Sequence, residues 1–180
     1  MHRRRHGRGR LVRGGALKAP ARRAWPAGAP SAHAPAEGTT HILRASLKPK
    51  LYRDVEIEGT ASLRALAEAI VISFDFDFDH AFGFYSTLTQ RYQESPEKYE
   101  LVADTGEADP GVGSVERTAV SKAFPKVGKK MLFVFDYGDD WRFQVELVKL
   151  GAKKPQTRYP RLLVASGDAP SQYGDEEDWD

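Results

Sequence analysis

Residues Met131–Leu150, MLFVFDYGDDWRFQVELVKL, decide how the chain folds. In the first arm Met131, Phe133, Phe135 and Tyr137 fall on one side, and Leu132, Val134 and Asp136 on the other. In the return arm Trp141, Phe143, Val145 and Leu147 share a face opposite Arg142, Gln144 and Glu146. A period of two carried by aromatic and β-branched residues is the pattern of an antiparallel strand pair with one buried face. Between the arms, Gly138 is expected to take the positive φ of a tight turn, with Asp139 beside it tolerating that conformation. Trp141 and Phe143 are expected in the core.

The turn itself reads Tyr137-Gly138-Asp139-Asp140. YGDD at a hairpin tip resembles the metal-binding motif of RNA-dependent polymerases, in which paired carboxylates hold two magnesium ions. A polymerase also needs a further carboxylate strand and regions that grip the template. The 140 residues after position 40 make one domain, which takes roughly 100–200 residues by itself. The sequence therefore reads as an acidic turn, with a non-polymerase site built on Asp136, Asp139 or Asp140 as the alternative.

Working outward, His41–Leu47 and Tyr52–Ile57 alternate and read as strands, with Pro49 between them. Thr60 or Ser62 is placed to cap a helix, because a side-chain oxygen there accepts one of the unpaired N–H groups of the first turn. Leu63, Leu66, Ala67, Ile70, Val71 and Phe74 then follow at helical spacing and form one apolar face. Ala81–Thr87, Tyr99–Ala103 and Arg161–Val164 read as further strands, Asp104–Ser114 as a loop, and Val120–Phe124 as one helical turn stopped by Pro125. The expected fold is α+β: a single domain of five to seven mainly antiparallel strands with one principal amphipathic helix packed on the sheet.

Asp75-Phe76-Asp77-Phe78-Asp79-His80 places three carboxylates at alternate positions before a histidine. A calcium loop of that form requires Gly at its sixth position and Glu at its twelfth, which here are His80 and Ser86. The segment is expected to be a turn after the helix, its phenylalanines under the sheet and its aspartates solvated. A metal site that joins His80 to one or two aspartates is the sharper alternative. His80 itself reads first as a structural histidine.

Composition excludes several classes. There is no cysteine, so disulfides, cysteine-zinc sites and thiol catalysis are absent, and a cytoplasmic location is expected. No run approaches the ~18–20 apolar residues of a membrane helix, so no membrane association is expected. The net charge of +2 conceals a division: residues 1–40 carry +8 and the rest −6. Residues 1–40 are rich in Ala, Gly, Pro and Arg and lack periodicity, so a disordered basic tail is expected. The plainest reading is a dispensable extension or an upstream-extended start. An organellar transit peptide is weakened by a single serine, and a secretory signal by the lack of an apolar run. Arg3, Arg4, Arg5, Arg8 and Arg10 form a candidate nucleic-acid arm, working on phosphates without sequence preference. Lys126, Lys129 and Lys130 read as a solvated connection rather than a phosphate contact. Residues 171–180, with five acids in the last six, are expected to be a disordered acidic tail.

Several motifs together carry a resemblance. They are Tyr52-Arg53, the Leu63–Phe74 helix, His80 with Phe82 and Phe84, and Tyr99-Glu100-Leu101. Phe124-Pro125-Lys126-Val127-Gly128-Lys129-Lys130, Phe135–Phe143, Tyr159-Pro160-Arg161 and Gly167-Asp168-Ala169-Pro170 continue it. Across residues 41–173 the chain resembles the plasmid pRiA ORF-three-like family, insertion-element passenger proteins of TnpR type. The resemblance implies a compact α+β domain over 41–170 and an origin near plasmids or transposable elements. It brings no catalytic residue with it. A serine recombinase would need an activated serine, an arginine cluster and a helix-turn-helix, and the acidic folded part offers no such helix pair.

Functionally, the first expectation is a non-enzymatic accessory or binding module for a protein or peptide of unknown identity. Its candidate surface is His80, Asp136, Tyr137, Asp139, Asp140 and Trp141. No catalytic residue, metal or cofactor is assigned. The alternatives are a metal-dependent hydrolase or nuclease using Asp136, Asp139, Asp140 and His80, and non-specific nucleic-acid binding through the N-terminal arm.

Overall fold

The computed structural model describes residues 38–174, and the candidate arm from Arg3 to Arg10 lies outside them. The chain runs β1 (Thr39–Lys48), β2 (Leu51–Glu58), α1 (Leu63–Ser73), β3 (Phe82–Tyr85), β4 (Lys98–Glu100), β5 (Gly113–Ser114), α2 (Val120–Ala123), β6 (Lys130–Phe135), β7 (Trp141–Ala152) and β8 (Arg161–Ser166). Eight strands form one sheet in the order β5-β4-β3-β6-β7-β1-β2-β8. The sheet is antiparallel except for the short β4–β5 pair. This is the expected α+β domain with one main helix, but with one strand more than the sequence suggested. β5 has two residues, too few to leave an alternating pattern.

Each element has a local cause. Ser62 caps α1, its hydroxyl accepting from the Ala65 N–H at 3.1 Å. Leu63, Leu66, Ala67, Ile70 and Val71 are then buried against the sheet, as their spacing requires. Phe74, Phe76, Phe84, Phe133, Phe135 and Phe143 fill the same core, with Phe74 and Phe143 5.0 Å apart between ring centres and Phe84 and Phe133 4.8 Å apart. After the helix, Asp75 enters the left-handed region at φ 63° and turns the chain, so that Phe76 is buried while Asp75 and Asp77 are exposed. That is the alternation read from the sequence.

β6 departs from a strand buried on one face. Met131, Phe133 and Phe135 join the main core, but Leu132 and Val134 are buried too, in a second cluster with Tyr85 and Tyr92. Tyr92 belongs to a 3-10 turn, Tyr92–Glu94, that folds over the face opposite α1 and meets Tyr85 edge-on at 4.7 Å. A polar connecting segment thus covers the middle of a sheet face that would otherwise be wet.

The β2 strand carries two interior polar anchors. Glu56 accepts from Thr40 Oγ1 at 2.7 Å and from Arg161 Nε at 2.7 Å, which ties β1 and β8 to β2. Arg53 is 5% exposed and donates to four backbone carbonyls: Ser73 at 2.9 Å, Tyr52 at 3.0 Å, Ser166 at 2.9 Å and Gly167 at 3.1 Å. Its guanidinium also lies 4.6 Å over the Phe74 ring.

His41 is buried on β1, its Nδ1 without a hydrogen-bond partner among the described residues, and a Cβ at Gly59 would stand 2.8 Å from its ring. Burial lowers its pKa from the ordinary histidine value, against a raising hydrogen bond to the Phe124 carbonyl. The folded protein therefore binds fewer protons here than the unfolded chain between the lowered pKa and about 6.5. Stability should be full above about pH 6.5 and fall as pH drops through that window. Urea midpoints from pH 8 down to 5 should show the loss, and His41→Leu should flatten it. An unchanged slope in that variant would count against His41 as the source.

Candidate functional site

The β6–β7 hairpin forms as the sequence reads, with Phe135 paired to Trp141 and Phe133 to Phe143. Its turn chemistry differs. Gly138 does not adopt positive φ; Asp136 and Asp140 do, at 57° and 56°. Aspartate tolerates that region because its short carboxylate can bond its own backbone locally. Asp136 Oδ1 accepts from the N–H groups of Gly138 at 3.0 Å and Asp139 at 3.3 Å. The Asp140 N–H closes the turn on the Asp136 carbonyl at 2.6 Å. The turn is thus organised around a 7% exposed carboxylate, and the glycine has no left-handed role.

The candidate residues separate into groups. His80 and Asp136 come together: His80 Nε2 is 3.4 Å from Asp136 Oδ2, and His80 Nδ1 is 2.6 Å from Asp79 Oδ1. The imidazole therefore stands between two carboxylates, edge-on to Phe135 at 5.9 Å. Burial nudges the Asp79 carboxyl upward, but hydrogen bonds from His80 and Tyr173 outweigh it and hold the group below its usual range.

Tyr137 lies with the other sheet face. Its hydroxyl is 2.7 Å from the Tyr85 hydroxyl, which in turn donates to Glu100 Oε1 at 2.8 Å. Although Tyr137 is 42% exposed, its hydroxyl end is enclosed, and burial with the nearby Glu100 charge pushes the phenol up to about 12, against a lowering bond to Tyr85. Burial moves Tyr85 higher still. A Cβ at Gly83 would stand 2.7 Å from the Tyr85 hydroxyl and 2.9 Å from that of Tyr137. Gly83→Ala should consequently cost about 1–3 kcal/mol through overpacking, because buried Tyr85 has no room to yield. Chemical denaturation measures this, and a loss below about 0.5 kcal/mol would mean that the pair relaxes freely.

Asp140 is taken by Arg142, Nη2 lying 2.8 Å from Oδ2, and Arg142 also donates to Gln90 Oε1 at 2.6 Å. Asp139 is exposed at the apex. Trp141 packs on Phe76 at 4.7 Å on the core side, as expected, with its indole N–H buried and unpartnered among the described residues. The carboxylates of the turn thus engage different partners in different directions. Among the described residues no group of three or more His, Asp or Glu side chains could hold a metal ion. Lys129, in the basic connection, is paired with Glu97 at 2.7 Å.

The profile of the plasmid pRiA4b ORF-3-like protein family matches residues 40–175, most of the chain. The chain belongs to that family. No curated protein matches the chain. Among solved structures, the protein of unknown function MM3350 from Methanosarcina mazei Go1 is similar, with a TM-score of 0.58 and 18% identity, covering 74% of this chain and 72% of that one. At that identity the likeness is one of fold. Among the described residues no helix is long and apolar enough to cross a membrane.

Asp79, one of the aspartates weighed as a partner of His80, does join it, and two residues of this ORF-3-like domain join the site unforeseen: Gln172 and Tyr173 from the C-terminal stretch. Gln172 bonds the Asp77 backbone, and the Tyr173 hydroxyl is 3.1 Å from Asp79 Oδ2. Their sequence signal is faint, since SQYG runs straight into the acidic end and shares its polar composition. The expected tail boundary at 171 therefore falls before two residues that touch the domain.

Proposed function

We propose that this ORF-3-like domain is a non-enzymatic accessory module that engages a protein or peptide partner beside the β6–β7 turn, and that it serves a plasmid or transposable element in the cytoplasm. The observation that carries the reading is the local pairing of His80, Asp136 and Asp140 around the tip. His80 Nδ1 is bonded to Asp79, its Nε2 lies 3.4 Å from Asp136, and Asp140 is paired with Arg142. These side chains are taken up in local pairs within the protein, which leaves exposed aromatic surface as what the tip offers a partner. Meanwhile Tyr137 leaves 42% of its surface exposed beside the turn, and an exposed aromatic face suits a recognition surface.

A photo-crosslinking residue, p-benzoylphenylalanine, placed at Asp139 in the native host tests this. The control position is Val127, which is exposed near the start of β6, at the other end of the hairpin. One discrete adduct from position 139 and not from 127, reproduced with the purified partner, is expected. Equal labelling from both positions, or none from 139, would remove the reading.

The hydrolase alternative draws on the proximity of His80 and Asp136. It predicts manganese-dependent phosphodiester cleavage that Asp136→Asn abolishes. The charge of +8 on residues 1–40 supports a nucleic-acid arm through Arg3, Arg4, Arg5, Arg8 and Arg10. That reading predicts weak binding, steeply reduced by salt, that vanishes when residues 1–37 are deleted.

A further inference from the structure

Ser171–Gly174 is polar and leads into an acidic end, yet two of its side chains sit on the face beside the hairpin tip. The Asp77 N–H donates to Gln172 Oε1 at 2.6 Å, and Gln172 Nε2 donates back to the Asp77 carbonyl at 3.1 Å. That is the exchange of N–H and C=O partners a neighbouring strand would make, delivered by one carboxamide. The next residue, Tyr173, reaches Asp79 with its hydroxyl at 3.1 and 3.4 Å from the two carboxylate oxygens. Its ring lies 6.4 Å from the His80 ring, which Asp79 and Asp136 hold in place. The Ser171 hydroxyl donates to the Tyr173 carbonyl at 2.6 Å and sets the two side chains in register.

The segment is delivered by firm anchors upstream. Arg53 holds the Ser166 and Gly167 carbonyls, and Ala169 packs against the core. Beyond them the attachment is by hydrogen bonds between water-accessible groups, with Tyr173 still half exposed. Such bonds are individually weak, so occupancy comes largely from the tether, which presents the segment at an effective concentration on the order of millimolar.

We propose that Asp77, Asp79 and His80 form a recognition site for an extended peptide presenting a carboxamide side chain followed by a phenol, and that Gln172 and Tyr173 fill this site in cis. The inference rests on the peptide-binding reading above and names the chemistry of the partner. A carboxamide sets one acceptor and one donor side by side, matching the N–H and C=O of Asp77. A carboxylate at that position would oppose its oxygen to a carbonyl, and an ammonium would leave the N–H unpaired. The following position needs a donor for the Asp79 carboxylate, which phenylalanine lacks. Sites built on buried or charged acceptors reject analogues that leave them unpaired.

The test uses the full-length chain, isotopically labelled, as wild type and as the Gln172→Ala/Tyr173→Ala double variant. Each is titrated to millimolar concentration with the capped hexapeptide Ala-Pro-Ser-Gln-Tyr-Gly. Saturable shifts of the Asp77, Asp79 and His80 amides are expected in the double variant. The wild type should require roughly tenfold more peptide, because its own segment competes at millimolar effective concentration. Peptides with Gln→Ala or Tyr→Phe should fail to saturate. The proposal is overturned if those amides do not respond in the double variant, if both proteins bind equally, or if the altered peptides bind as well. If the peptide fails while crosslinking at Asp139 persists, only this inference falls. If the peptide binds and no partner crosslinks, the site stands and the functional reading falls.

Discussion

Arg53→Ala is expected to lower stability by about 3–5 kcal/mol and the melting temperature by about 10 °C. One side chain satisfies the carbonyls of Tyr52, Ser73, Ser166 and Gly167, and so joins β2 to the end of α1 and to the turn after β8. The Ser73 carbonyl is among those that a helix leaves unpaired at its C-terminus. Removing the guanidinium strands these acceptors in a site that is 5% exposed, and opens a cavity against Phe74. Lysine should recover little, because a single ammonium cannot span the fork of directions that Nε and Nη1 cover. Thermal unfolding followed by circular dichroism checks both variants. A loss under about 1 kcal/mol for the alanine variant would show that water replaces the arginine, against this account. The same substitution should loosen Gln172 and Tyr173, since the chain that delivers them is anchored at Ser166 and Gly167 by Arg53.

Asp136→Ala is the second large effect, with an expected loss of about 2–3 kcal/mol. Alanine must hold φ near 57°, at about 1–2 kcal/mol, without the carboxylate that bonds the Gly138 and Asp139 N–H groups. Asp136→Asn keeps both the conformational tolerance and one acceptor, and should lose less than half as much. Hydrogen exchange at the Gly138 and Asp139 amides, read beside urea unfolding, separates a loosened turn from a weakened core. If alanine and asparagine cost the same, the left-handed backbone is not what the carboxylate supports. Because Asp136 also faces His80, the asparagine variant should leave the turn intact while freeing one side of the imidazole.

The elements legible in the sequence are those whose cause is local. Met131–Leu150 alternates because one face of each arm meets the main core, although on β6 the second face is buried as well, and the pairing of Phe135 with Trp141 follows from a short turn. Leu63 to Val71 repeats at helical spacing behind a serine cap, and α1 begins where Ser62 accepts from Ala65. Asp75 to Asp79 alternates with phenylalanine, and the structure buries Phe76 as that pattern requires. The left-handed residues were harder to locate. Glycine at 138 is the ordinary choice for a turn, but an aspartate that bonds two following N–H groups can hold that conformation itself, and Asp136 does so.

Composition, the two periodicities and the turn residues together determined an α+β domain with a helix on a mainly antiparallel sheet, and a hairpin ending in an acidic turn. These are properties of neighbours in the chain, and backbone sterics and side-chain spacing write them directly into the order of residues. Only the tertiary structure decided that Tyr92 would close over Leu132 and Val134, that Tyr137 would join Tyr85 on one face while Trp141 joined Phe76 on the other, and that Gln172 and Tyr173 would return to Asp77 and Asp79. Those partners stand far apart in sequence. Their meeting depends on the sheet order and on the anchoring of the chain by Arg53, a balance of loop closure and packing that local pattern does not record.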